Sequence, residues 1–156
     1  MKLHALLDED LVLPRLAARD RDGVLKEMSA RLETLRAPGL DSGLLEKLLK
    51  REELGTTAIG KGVAVPHCRA KGIKAPALLL GLSPEGVSFQ AVDGRPSYVF
   101  FLLVSPEENP GSGLRLLAEI AGLVRRTRGL ATKLLKAATP QEIIGVLRTE
   151  EEKPRV

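Results

Sequence analysis

Arg51-Glu52-Glu53-Leu54-Gly55-Thr56-Thr57-Ala58-Ile59-Gly60-Lys61-Gly62-Val63-Ala64-Val65-Pro66-His67-Cys68-Arg69 is the stretch on which the fold turns. It opens as the end of a helix. Leu44, Leu45, Leu48 and Leu49 form one helical stripe that runs to about Glu53 and stops at Gly55, and Asp41 stands where it can cap the start. Residues 54–62 are rich in Gly and Thr and read as a loop. Val63-Ala64-Val65 reads as a short buried strand ended by Pro66, which has no N–H to donate to a sheet ladder. His67 is thereby set at the C-terminal edge of a strand, where open α/β sheets hold their sites.

Outward from this stretch the periodicity changes twice. Upstream, Val24, Leu25, Met28, Leu32 and Leu35 predict a helix over 22–36, capped by Asp20 or Asp22 and ended by Pro38-Gly39. Downstream, Ala77 to Leu82 is an apolar run, and Val87, Phe89 and Ala91 alternate with polar residues as a half-buried strand does. Pro84-Glu85-Gly86 and Asp93-Gly94 supply turns. Tyr98 to Val104 is continuously apolar, the pattern of a central strand covered on both faces. Helices return over 112–127 and 129–137, and Thr139-Pro140-Gln141-Glu142 is a capping box that opens a last helix. The expected fold is α/β: one domain over residues 1–148, with a mixed, roughly five-stranded sheet flanked by helices on both faces. Residues 149–156 read as a charged, frayed tail.

Composition removes several classes of function. A chain of 156 residues builds one core without staples. One cysteine, Cys68, excludes an intramolecular disulfide, and with two histidines it cannot furnish the four ligands of structural zinc. One tyrosine, three phenylalanines and no tryptophan leave too few rings for a single-stranded nucleic-acid platform. The net charge is only +4, with no run of more than two Lys or Arg. The longest apolar run, Val99 to Val104, is far short of the ~20 residues of a membrane helix. The first residues lack the pattern of a signal peptide, so a cytoplasmic location without membrane insertion is expected.

Gly55, four residues, then Gly60-Lys61 matches part of a nucleotide-binding P-loop. Gly62 stands where the magnesium-binding Ser or Thr belongs, and the order is helix to strand rather than strand to helix. The alternative chemistry is a phosphohistidine at His67. It needs a neutral imidazole with one nitrogen free and the other oriented, plus donors and positive charge for phosphoryl oxygens. Arg51, Thr56, Thr57 and Arg69 lie close in sequence. On the residues alone, Arg51 as a solvated charge at a helix edge and Arg69 as a loop charge are the favoured readings.

The run Arg51-Glu52, six residues, Ile59-Gly60, two residues, Val63-Ala64-Val65-Pro66-His67-Cys68 resembles the active-site signature of type-2 enzyme IIA domains. These are the fructose, mannitol and nitrogen-regulatory class of the phosphoenolpyruvate-dependent phosphotransferase system. The resemblance implies that His67 accepts a phosphoryl group through Nε2 from the phosphocarrier HPr or its nitrogen-branch counterpart. It then passes the group to a IIB domain, or a regulatory target protein reads it. Arg51 and Thr57 would hold the phosphate, and no metal or organic cofactor is implied. The chain departs from the family at one place. A second His is usual just before the Leu that opens the long C-terminal helix, and Gly113 stands there, before Leu114. The alternative function is therefore a regulatory binding protein of the same fold with weak or no transfer. If the missing imidazole limits transfer, Gly113→His is expected to speed it; Arg115 and Ser112 are nearby polar residues, and His4 is too near the N-terminus to substitute.

Overall fold

A computed structural model describes residues 2–36 and 39–154, and among these are six strands and five α-helices. In chain order they are β1 (Val12–Leu13), α1 (Arg21–Arg36), α2 (Leu44–Glu53), β2 (Ala58–Gly60), β3 (Val63–Ala64), β4 (His67–Ala70), β5 (Ala77–Val87), β6 (Ser97–Pro106), α3 (Pro110–Arg126), α4 (Leu130–Leu135) and α5 (Pro140–Glu152). The strands form one mixed sheet in the order β1-β5-β6-β3-β2, with β4 also on β6. β6 is central as expected. It pairs antiparallel with β5 and parallel with β3 and β4, and Val99 to Val104 are all buried.

Helices cover both faces. Gly81 of β5 pairs with Phe100 and looks onto Leu16 and Met28 of the α1 side, whereas Ser105 looks onto Gly113 of α3. Five steps along β6 reverse the face, so α1 and α3 lie on opposite sides. The Asp20 carboxylate starts α1 by accepting the Gly23 N–H at 2.7 Å. The Thr139 hydroxyl starts α5 by accepting the Glu142 N–H at 3.2 Å. Pro38, expected to help end α1, lies outside the described residues.

Several local expectations give way. Ala58–Gly60, read as loop, is a strand that pairs antiparallel with β3. Asp41 accepts the Gly43 N–H at 3.1 Å, one turn ahead of α2, and Gly43 itself holds the cap position. Pro84-Glu85-Gly86 does not end a strand. These residues lie inside β5, where the pairing jumps from Leu82↔Val99 to Val87↔Ser97, and Gly86 takes a positive φ of 81° against the Tyr98 ring. Only Val87 of the 87–91 alternation is in a strand. Phe89 is buried against Phe100, and its carbonyl is taken by the Thr56 hydroxyl at 2.6 Å instead of by a ladder. The charged C-terminus is not frayed where it begins. α5 reaches Glu152, and buried Glu151 accepts the N–H groups of Leu3 and His4 at 2.7 and 2.8 Å. His4 adds its Nδ1 to the same carboxylate at 2.8 Å, so it ties the two ends of the chain together.

Candidate active site

Pro66 does not end the strand that carries His67. β3 and β4 pair with β6 in one continuous parallel register, Val63↔Val99 through Ala70↔Pro106. Pro66 lacks a donor, but its carbonyl accepts the Leu103 N–H at 2.9 Å, so the ladder survives the proline. His67 is consequently the first residue of β4, beside Leu103, and not the last residue of a strand. β2 covers only β3, which leaves β4 at an open edge of the sheet.

Two helices close over that edge. In α2, Leu44, Leu48 and Glu52 turn inward, while Lys47, Lys50 and Arg51, with Leu54 just beyond the helix, repeat at three and four residues and face His67. In α3, Pro110, Gly113, Leu114 and Leu117 share the facing stripe. Between them lies a cavity of about 500 Å³ floored by His67, Cys68, Leu103 and Ser105. Leu54 and Leu114 stand at its mouth, 85% and 64% exposed. Among the described residues no carboxylate lines it, and four cations do: Lys47, Lys50, Arg51 and Arg69. Lys47 is engaged, with its ammonium 2.5 Å from Asp41 and 3.2 Å from the Arg69 carbonyl. The Asp41 contact raises the Lys47 pKa and is also the main cause of the lowered Asp41 pKa.

The imidazole is held in one tautomer. His67 Nδ1 is 2.8 Å from the Val65 carbonyl, which can only accept, so Nδ1 carries the proton and Nε2 carries the lone pair. Arg51 Nε–H donates to that Nε2 at 3.3 Å, while its Nη1 is fixed on the Gly55 carbonyl at 2.8 Å. Nε2 thus faces a cavity lined by cations, with an anchored guanidinium beside it.

Thr57 is not part of this group. It is 4% exposed, does not line the cavity, and its hydroxyl donates to buried Glu52, whose other oxygen accepts the Thr57 N–H at 3.1 Å. Its contribution is indirect. The Thr57 carbonyl accepts the Val65 N–H at 2.9 Å, and the Val65 carbonyl accepts the His67 proton. A hydrogen-bonded chain therefore runs from the last turn of α2 to the imidazole, so Thr57 supports His67 from behind and does not line the cavity. Thr56, Ser112 and Arg115 also lie outside the cavity. The Ser112 hydroxyl donates to the Asn109 carbonyl at 2.8 Å, and Arg115 is exposed to solvent.

Gly113 does line the cavity, but a side chain there has no room. A Cβ on it would lie 2.7 Å from Ser105 Cβ and 2.8 Å from Ser105 Oγ. Since Ser105 Cβ is fixed by the strand, an imidazole at 113 requires α3 to lift off β6. The expectation that Gly113→His restores a missing catalytic group is corrected accordingly. Sequence reasoning missed Ser105, whose hydroxyl sits under Gly113 at the cavity floor, and Lys47 and Lys50. The only sequence signal for the lysines was their helical spacing from Arg51.

Cys68, next to His67, is chemically quiet. Burial pushes its thiol up to about 12, so it stays protonated at neutral pH. Iodoacetamide at pH 8 is expected to label the native protein at least ~10-fold more slowly than the unfolded chain. Equal labelling rates would show that the thiol is neither buried nor shifted.

Among the described residues, no helix is long and apolar enough to cross a membrane. The chain is similar to known proteins over nearly its whole length. A nitrogen regulatory protein of Bradyrhizobium diazoefficiens is 33% identical over 147 residues, covering 94% of this chain and 95% of that protein. The crystal structure of nitrogen regulatory protein IIA-Ntr from Neisseria meningitidis superposes with a TM-score of 0.83 at 27% identity, over 93% of this chain and 98% of that one. The fold is also that of enzyme IIAMTL of Escherichia coli in its complex with phosphorylated enzyme IIBMTL, with a TM-score of 0.73 at 14% identity over 92% and 97% of the two chains. The family model of the phosphoenolpyruvate-dependent sugar phosphotransferase system, EIIA 2, matches residues 5–150, and the chain belongs to that family.

Proposed function

We propose that this protein is a cytoplasmic phosphoryl carrier whose acceptor atom is Nε2 of His67. The observation that carries the reading is the fixed tautomer: Nδ1–H on the Val65 carbonyl leaves the Nε2 lone pair directed at the cavity beside Arg51. The donor is a phosphohistidine of HPr or of its nitrogen-branch counterpart. As the P–N bond of the donor breaks, its electron pair stays on the donor nitrogen and the P–Nε2 bond forms. No proton has to leave His67, because Nδ1–H keeps its carbonyl partner throughout. Arg51 and Lys50 meet the phosphoryl oxygens with charge, and Ser105 offers a hydroxyl from the floor. Leu54 and Leu114 supply apolar lips for the protein that brings or takes the group. The onward acceptor is a IIB domain, or a regulatory target that distinguishes the two phosphorylation states. The likeness to nitrogen regulatory proteins, at 33% and 27% identity, favours the regulatory branch.

Incubation with phosphoenolpyruvate, enzyme I and HPr is expected to add the mass of one phosphoryl group, and His67→Ala is expected to abolish the gain. No gain with donor proteins that phosphorylate a control IIA would leave the second reading: a binding protein of this fold without transfer. The packing of Gly113 on Ser105, which excludes a second imidazole, is the observation that favours it. Ser105→Ala distinguishes a hydroxyl that serves the phosphoryl group from one that only packs. It is expected to slow transfer roughly 10-fold with little change in thermal stability.

A further inference from the structure

A second cavity, of about 750 Å³, lies at the other end of α3, about 20 Å along the helix axis from Gly113. Lys61, Arg95, Arg125, Arg126 and Arg128 line it, together with the half-exposed ring of Tyr98. These five cations come from three separate places: the β2–β3 turn, the loop before β6, and the end of α3 with the turn that follows. Among the described residues Asp93 is the one carboxylate in the lining, and both its oxygens are taken by backbone. Oδ2 accepts the Lys61 N–H at 3.0 Å and Oδ1 accepts the Arg95 N–H at 3.1 Å. Asp93 therefore clips two loops together and sets Lys61 and Arg95 on the same rim. Lys61 holds a positive φ of 56° between two glycines that also have positive φ, so the turn that presents it is tightly specified.

Only Arg126 has an acidic partner, Glu119 at 3.5 Å; no other ion pair among the described residues involves these cations. The C-terminal end of the α3 dipole favours Arg125 and Arg126. It does not account for Lys61, Arg95 and Arg128, which reach the recess from elsewhere. With Arg126 paired to Glu119 and Asp93 committed to backbone, the five cations still exceed the two nearby carboxylates. Uncompensated like charges repel, and guanidinium forks pair most favourably with phosphoryl oxygens. We infer that this cavity is a binding site for a small polyphosphorylated anion, separate from the His67 cavity. A recess of this volume takes a ligand of nucleotide size, and the cations enclose a pocket rather than spread along a stripe suited to a polymer.

Titration calorimetry and amide chemical-shift mapping at 0.15 M NaCl, with inorganic tripolyphosphate and with ATP as probes, test the assignment. Saturable binding is expected, with shifts centred on residues 61, 95 and 125–129. Equal affinity for the two probes assigns recognition to the phosphate chain alone, and tighter ATP binding adds the nucleoside beside Tyr98. The exposed pair Arg95→Ala and Arg128→Ala is expected to weaken binding at least ~10-fold at unchanged melting temperature, while Arg51→Ala leaves it unchanged. Absence of saturation at this salt, or shifts that map to His67 and vanish in Arg51→Ala, would overturn the inference. Phosphorylation of His67 is read separately by mass, so the two sites stand or fall independently.

Discussion

Gly113→His lowers the stability of the protein and does not accelerate phosphoryl transfer. The first atom of any side chain at 113 meets Ser105 Cβ at 2.7 Å, and both atoms are fixed by backbone, one in α3 and one in β6. Overpacking of this kind costs about 1–3 kcal/mol. For a chain of this length that is a fall in melting temperature of roughly 3–10 °C. Gly113→Ala separates the cause. At an open helical position, exchanging Gly for Ala gains about 1 kcal/mol. Here it is expected to destabilise, because the clash is with Cβ and not with the imidazole. Thermal unfolding of the two variants decides the matter. A Gly113→Ala protein more stable than the parent would show that the helix lifts freely and that the position is open to a histidine.

Arg51→Ala produces the largest expected loss of transfer among variants that keep His67. The guanidinium donates to Nε2 at 3.3 Å, and it is anchored by the Gly55 carbonyl. Once Nε2 carries a phosphoryl group, the same fork is in place for its oxygens. Removing one preorganised donor of developing negative charge costs about 10²-fold in rate. Arg51→Lys keeps a charge without the fork and is expected to recover part of that loss. The fold is expected to persist, because Leu44, Leu48 and Glu52 hold α2 down and Arg51 lies on the cavity stripe. Quenched-flow phosphorylation by phospho-HPr, with circular dichroism as the control for folding, measures both. An unchanged rate in Arg51→Ala would remove Arg51 from the transfer step.

The central strand and the capped starts of α1 and α5 were legible in the sequence because each rests on local chemistry; the contact of Arg51 with His67, 16 positions apart, was expected only from the family resemblance. An unbroken apolar run specifies a strand buried on both faces, and Asp and Thr caps act within three residues. What was misread depends on tertiary contacts that no periodicity or capping pattern reveals. Pro66 looks like a strand end when only its missing donor is counted, whereas its carbonyl still serves Leu103, 37 positions away. Thr57 looks like a phosphate ligand until Glu52 is found to occupy its hydroxyl inside the core. Phe89 alternates like a strand residue, yet Thr56 takes its carbonyl from 33 positions away. Gly113 reads as a lost histidine, and only the approach of α3 to Ser105 shows that no side chain fits there.

The most direct measurement of the central claim is a long-range ¹H–¹⁵N correlation spectrum of the imidazoles before and after phosphorylation. The hydrogen bond from Nδ1 to the Val65 carbonyl predicts that the resting His67 is protonated on Nδ1. It also predicts that the phosphoryl group appears on Nε2 while Nδ1–H persists, with His4 unchanged. A resting His67 protonated on Nε2, or a phosphoryl group found on Nδ1 or on any other residue, would contradict it.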